Sequence, residues 1–426
     1  MTNFQIISGI LLLVAMFGWI NYRFLKLPDA IGITAVAVLV SLVVLVLGEV
    51  IGYRRADSIR ALTAGFDFSS VLLHGVLGLL LFAGSLQIEI DDLAGEKWMV
   101  LVLATVGVVV STAVVGVALY IVTHALSVGI PIIHCLLFGA LISPTDPVAV
   151  MSVMKRAKLP KSLEVRIAGE SMFNDGAAIA LFLALLGVAA SGDTLSIAST
   201  ALSFVVEVVG AFVFGGAFGY GGYRLLRGVE SYPVEILITL AMATAGYALA
   251  EAIHVSAPIA VVLMGLIIGN KGAEKAMSAN TRRRLFDFWE VVDEMLNLLL
   301  FALIGLQMLS LDVTPIHFVI GGAAIVIVLV ARLLSIAGPI LAAPRLREYG
   351  LASMAIMTWG GLRGGISIAM ALSLPEFGAR DTLLSATYMV VIFSILVQAL
   401  SLGPVTKRVL RLARDKLPKK RGPPGR

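Results

Sequence analysis

Apolar segments of about twenty residues, each closed by a turn or a charged loop, follow one another along this 426-residue chain. A helix of that length crosses the roughly 30 Å hydrocarbon core of a bilayer. Lipid offers backbone N–H and C=O groups no water, so each segment has to satisfy them internally, as an α-helix does. The expected fold class is therefore an all-α polytopic membrane protein. Composition agrees: 14% of residues are charged, against about 25% in soluble domains, and 59% are hydrophobic. The 42 glycines suit close helix packing. Cys135 is the sole cysteine, which excludes an intrachain disulfide. The formal charge of +5 sits in basic loops and in the C-terminal "KRVLRLARDKLPKKRGPPGR". It points to lipid headgroups as partners and not to nucleic acid.

Hydropathy and turn signals predict thirteen spans, at 4–20, 28–48, 69–87, 98–123, 131–152, 164–189, 197–225, 233–252, 256–270, 285–309, 315–342, 349–374 and 383–404. The first has no basic residue before it and "NYRFLK" after it, so it reads as a retained span and not a signal peptide. Lysines and arginines concentrate in loops after odd-numbered spans, among them Lys155, Arg156, Lys158, Arg224, Arg227 and Arg282 to Arg284. The positive-inside rule then places the N-terminus outside and the C-terminus in the cytoplasm. Arg380, after span twelve, and the cluster Arg54, Arg55 and Arg60, after span two, are the exceptions. Residues 1–404 form the transmembrane domain, and 405–426 a basic, proline-rich, disordered tail.

Two spans are interrupted. In "PIIHCLLFGALISPTDPVAVMSVMK", Pro144 and Pro147 flank Thr145 and Asp146. Each proline lacks an N–H and obstructs the carbonyl one turn earlier. In "GLASMAIMTWGGLRGGISIAMALSL", Gly360, Gly361, Gly364 and Gly365 surround Arg363. Spans five and twelve run in opposite directions, and paired inverted breaks near the midplane point to a transporter's binding site. Between them in sequence, "AGESMFNDGAAIALFLALLGV" places Glu170, Ser171, Asn174 and Asp175 in a helix inside lipid. Each intramembrane charge is costly and marks function by default. Ser171 and Asp175 share one helical stripe and face a ligand; Glu170 and Asn174 share the next and face a structural partner. Matching depth and opposite sign pair Glu170 with Arg363, with Asn174 hydrogen-bonded to that pair. Asp175 is left to hold either a proton or a cation.

The segments "GALISPTDPVAV", "GESMFNDGAAIALF", "FWEVVDEMLNLLLFALIGL" and "TWGGLRGGISIAMAL" together resemble the NhaP branch of the cation/proton antiporters. The resemblance implies an NhaA/NhaP-like fold of thirteen helices, with a core domain around 131–189 and 349–404 moving against a dimerisation domain. It also implies a homodimer in a bacterial or archaeal cell membrane. It makes Asp175 the ion- and proton-binding carboxylate, with Asn174 its partner. Thr145 and Ser171 become oxygen ligands, Asp146 a second carboxylate acting directly or through water, and Glu170 the partner of Arg363. The transported metal is Na⁺, or Li⁺ or K⁺, exchanged for H⁺, without a cofactor or enzymatic chemistry. Many members carry an acid in span three, where this chain reads "LLFAGSL" with Ala83.

Other readings are weaker. A proton-coupled symporter or channel for another solute calls for more polar or aromatic lining. An intramembrane aspartyl protease resembles its kin in a Gly-x-Gly-Asp motif, absent here. Arg332 serves either a site or a nearby carbonyl or acid, and Glu207 has no assigned partner. Glu290, Asp293, Glu294 and Asn297 form either a solvated helix start or an entry funnel or pH-sensing cluster.

Overall fold

The computed structural model describes residues 3–50, 71–147, 150–151, 161–191, 197–273, 276–310, 314–342 and 350–416. Helices α1 (Asn3–Ile20) and α2 (Asp29–Val50) are followed by α3 (Leu77–Leu86), α4 (Ile90–Ala125) and α5 (Ile132–Leu141). Then come α6 (Lys161–Ser191), α7 (Ile197–Leu226), α8 (Tyr232–Ala252), α9 (Ala257–Ile267) and α10 (Ala279–Leu306). The chain closes with α11 (Pro315–Ala342), α12 (Gly350–Trp359), α13 (Gly365–Leu372), α14 (Arg380–Phe393) and α15 (Ala399–Lys416). Among the described residues there is no strand, and nine helices are long and apolar enough to cross a membrane. Three shorter apolar helices, Leu77–Leu86, Ile132–Leu141 and Ala257–Gly272, accompany them.

Two boundaries differ most from expectation. Helix α4 begins at Ile90, ahead of the expected 98, because its first turns carry Asp91, Asp92 and Glu96, which hydropathy rejects but a helix N-terminus favours. Glu96 there meets Arg166 of α6, Oε2 to Nε at 2.7 Å. Helix α15 continues to Lys416, so 405–416 is helical, where a disordered tail was expected; a mixed apolar and basic face sustains it. Arg54, Arg55, Arg60, Lys155, Arg156, Lys158 and residues 417–426 lie outside the described residues.

Packing separates the helices into two groups. In one, α4 lies against α5 and α11, α11 against α14 and α12, and α13 against α14. In the other, α7, α8 and α3 surround α9, while α10 packs on α2 and α3. Glycines allow the closest approaches: a Cβ on Gly139 would meet Thr112 Cα at 3.0 Å, bringing α5 against α4. Val206, Val209 and Val213 of α7, and Leu12 and Trp19 of α1, are exposed apolar residues on the periphery. Helix α6 touches both groups and carries the acidic residues.

Candidate ion-binding site

Both predicted interruptions are present. Helix α5 ends at Leu141, residues 143–146 are irregular, and helical structure resumes at Pro147. Helix α12 stops at Trp359 and α13 starts at Gly365. The two unwound segments meet: the Asp146 N–H donates to the Leu362 carbonyl at 2.8 Å. This exchange supplies donors and acceptors that lipid does not. Gly364 brings the Asp146 side chain against the second break, since a Cβ there would lie 2.8 Å from Asp146 Cγ. Gly360 abuts the Ile356 carbonyl, a Cβ falling 2.9 Å from it, and Gly365 abuts Leu300.

Arg363 does not pair with Glu170. Its Nη1 donates to the carbonyls of Ser143 and Pro144, the latter at 2.9 Å, and its backbone N–H donates to Ser394 Oγ at 2.8 Å. The Ser143 carbonyl is the one that the N–H of residue 147 would bond in a continuous helix, and Pro147 has none. The arginine of one break thus replaces the donor missing from the other. Glu170 is held instead by Arg332 of α11, in a two-pronged contact whose Nη2–Oε2 arm measures 2.8 Å. Such fork-to-carboxylate pairs are the stronger, directional kind. Gly361 makes room for this arginine, because a Cβ there would stand 3.0 Å from Arg332 Cδ.

Asn174 also departs from its expected role. It does not join the Glu170 pair but clamps the first break. Its Nδ2 donates to Thr145 Oγ1 at 2.8 Å, and its Oδ1 accepts from the Thr145 N–H at 3.3 Å. Thr145 Oγ1 and Ser171 Oγ share a further bond of 2.8 Å. Thr145, Ser171, Asn174 and Asp175 are all buried. Asp175 is 4% exposed, and its Oδ1 has no hydrogen-bond partner among the described residues. Asp146 and Asp175 lie within electrostatic range of each other. The result is two hydroxyls and two carboxylates around an unwound backbone, the hard oxygen donors that an alkali cation accepts in place of water. Among the described residues no cluster of three or more His, Cys, Asp or Glu could hold a resident metal.

Arg332, for which the sequence left two readings open, is placed by the structure against Glu170, and Gly361 leaves the space that its side chain crosses.

Comparisons with known proteins give the family and the fold. The family model described as "Sodium/hydrogen exchanger, transmembrane" matches residues 11–408. The Na(+)/H(+) antiporter NhaP of Pseudomonas aeruginosa is 45% identical over 414 residues, covering 95% of this chain and 96% of that protein. The Na(+)/H(+) antiporter NhaH of Halobacillus dabanensis is 33% identical over 392 residues, covering 91% and 93%. Among solved structures, the sodium proton antiporter MjNhaP1 from Methanocaldococcus jannaschii at pH 8 superposes with a TM-score of 0.74 at 18% identity. That match covers 96% of this chain and 98% of the other, and at such low identity it shows a common fold. With its two crossed breaks and the family model spanning nearly its whole length, the chain belongs to the sodium/hydrogen exchanger family of multi-pass membrane transporters.

Proposed function

We propose that this protein exchanges Na⁺ for H⁺ across a bacterial or archaeal cell membrane by alternating access, one for one, with both ions competing for Asp175. The observation that carries this reading is the buried, partnerless Oδ1 of Asp175 beside the Thr145–Ser171 hydroxyls. A carboxylate there is neutralised either by a proton or by a small cation, and binding one displaces the other. Glu170 is engaged by Arg332 and Asn174 does not titrate, so neither adds a second exchangeable charge. Thr145, Ser171 and Asp146 complete the cation's shell. Li⁺ or K⁺ is accepted in the same cradle.

The full set of thirteen spans, with the N-terminus outside and the C-terminus in the cytoplasm, belongs to the same reading, as does a homodimer. The group around α5, α6, α12 and α13 acts as the moving core, and the group around α1, α2 and α7 to α10 as the scaffold. The names of the relatives, Na(+)/H(+) antiporters, support the choice of ions.

The test is Na⁺-driven proton movement by purified protein in proteoliposomes. Asp175→Asn should abolish it while leaving thermal stability near that of the wild type, because the amide keeps the shape and loses the titration. Robust exchange by that variant would overturn the mechanism. Exchange of a non-ionic solute in place of Na⁺ by the wild type would overturn the function.

A further inference from the structure

The middle of helix α10 carries acidic residues that the crossed breaks leave unused: Glu290, Asp293 and Glu294, followed by Asn297. Residues 293, 297 and 300 fall on one helical stripe. Its direction is fixed at the inner end, where Leu300 packs on Gly365 so closely that a Cβ would stand 2.5 Å from Leu300 Cγ. The preceding residue, Gly364, is the one against which the Asp146 side chain rests. Leu300 and Asp146 therefore abut consecutive residues of the same break. Asn297 is buried, and its Nδ2 donates to both the Asp293 carbonyl at 2.9 Å and the Asp293 carboxylate at 3.2 Å. That holds a half-buried carboxylate on the stripe.

Among the described residues, the charges that act on Asp293 are all of its own sign. Asp146, Glu290 and Glu294 lie within electrostatic range of it, and no ion pair to it occurs among the described residues. Like charges gathered in a low-dielectric setting repel, and a passing cation relieves that repulsion. The spacing is also ordered. Glu290 lies exposed at the outer end, Asp293 about one turn further in, and Asp146 beyond it, itself within range of the partnerless Asp175. The buried Asp175 carboxylate ends a ladder that begins at the surface.

We propose that Asp293 is a transit residue for the transported cation, passing it between the mouth beside α10 and Asp146, with Glu290 as the outer rung. The proposal rests on the Na⁺/H⁺ reading above and adds a route to it. The ladder serves only the side at which α10 begins, which the loop charges place in the cytoplasm. A transit residue has a sided kinetic signature. Slow entry through one mouth is overcome by more Na⁺ on that side; slow exit through it is not helped by Na⁺ on the other.

Asp293→Asn tests this, because the amide oxygen still accepts from Asn297 while the charge is gone. For Na⁺ presented on the α10 side, the apparent KM should rise about tenfold, the lower end of electrostatic focusing effects, with the saturating rate kept. For Na⁺ presented on the opposite side, the saturating rate should fall and KM should not rise. Asp293→Glu should restore most of the affinity, and Glu290→Gln, at an exposed position, should shift KM less in the same direction. Wild-type KM in both orientations for Asp293→Asn, or an equal rise in both, would overturn the proposal. If Asp293→Asn does not fold, Glu290→Gln decides: an unchanged KM on the α10 side overturns it. Absence of Na⁺-driven exchange in the wild type would instead overturn the function on which it rests.

Discussion

Two arginines lie near the breaks, and they do different work. Arg332 neutralises Glu170, while Arg363 bonds two carbonyls of the first break, that of Ser143 being left open by a proline. Both are buried, so removing either strands its partners, but the partners differ in kind. Arg332→Ala leaves an uncompensated carboxylate, a loss of about 3–5 kcal/mol for a buried pair. Glu170→Ala should cost a similar amount, and the double variant much less than the sum, because the second truncation strands nothing new. Melting curves of the four detergent-solubilised proteins check this; simple additivity would mean that the pair contributes no coupling. Arg363→Ala instead leaves two carbonyls unpaired, at roughly 1–3 kcal/mol each. Its coupling to Glu170 should be clearly weaker than that of Arg332, since its hydrogen bonds go to Ser143 and Pro144.

At the scale of elements, the breaks are held open by chain chemistry and closed against each other by one backbone bond. Gly364→Ala places a methyl group against Asp146 and should shift that carboxylate, raising the apparent KM for Na⁺ severalfold while leaving most of the fold intact. A sodium titration of the purified variant at fixed pH measures it, and a wild-type KM would show that Asp146 tolerates displacement. Pro147→Ala returns an N–H that competes with Arg363 for the Ser143 carbonyl. Pro147 stands where helical structure resumes, a first-turn position at which proline costs little, so its replacement should not lower stability. We expect a protein at least as heat-stable as the wild type and poor in transport; full activity would mean that the break does not depend on Pro147. These elements were legible in the sequence because prolines and glycines act locally. Pro144, Pro147 and the glycines around Arg363 announced both interruptions, and the i, i+4 spacing placed Ser171 and Asp175 together. The arginine pairing was not legible. Helix α11 is apolar nearly all round, so hydropathy does not say which way Arg332 points. Arg363 sits in unwound chain, where helical periodicity gives no direction. Asn174 was misassigned for a related reason: its amide bonds both the side chain and the backbone of Thr145, and no pattern in sequence encodes a contact with irregular backbone.

Over the whole molecule, charge accounting predicts electroneutral exchange. Each half-cycle carries one positive charge if Asp175 alone trades ions, so the equilibrium Na⁺/H⁺ balance should not respond to membrane voltage. Clamping proteoliposomes at zero and then at about 100 mV, where each uncompensated charge is worth about 2.3 kcal/mol, exposes any second proton. A voltage-dependent balance would make Asp146 or Asp293 a second exchanging group. The same long-range architecture bears on how the protein is made. The contact between Arg363 and the Ser143 carbonyl joins residues 220 positions apart, and the Asp146–Leu362 bond is of the same kind. During synthesis α5 therefore emerges long before the segment that supplies its missing donor. Until then an open break, with the Asp146 amide and two carbonyls unpaired, has to be sheltered from lipid by water or by the insertion machinery. A chain truncated before Gly350 never receives that partner, so it should be retained by membrane chaperones or degraded, although every earlier span is intact.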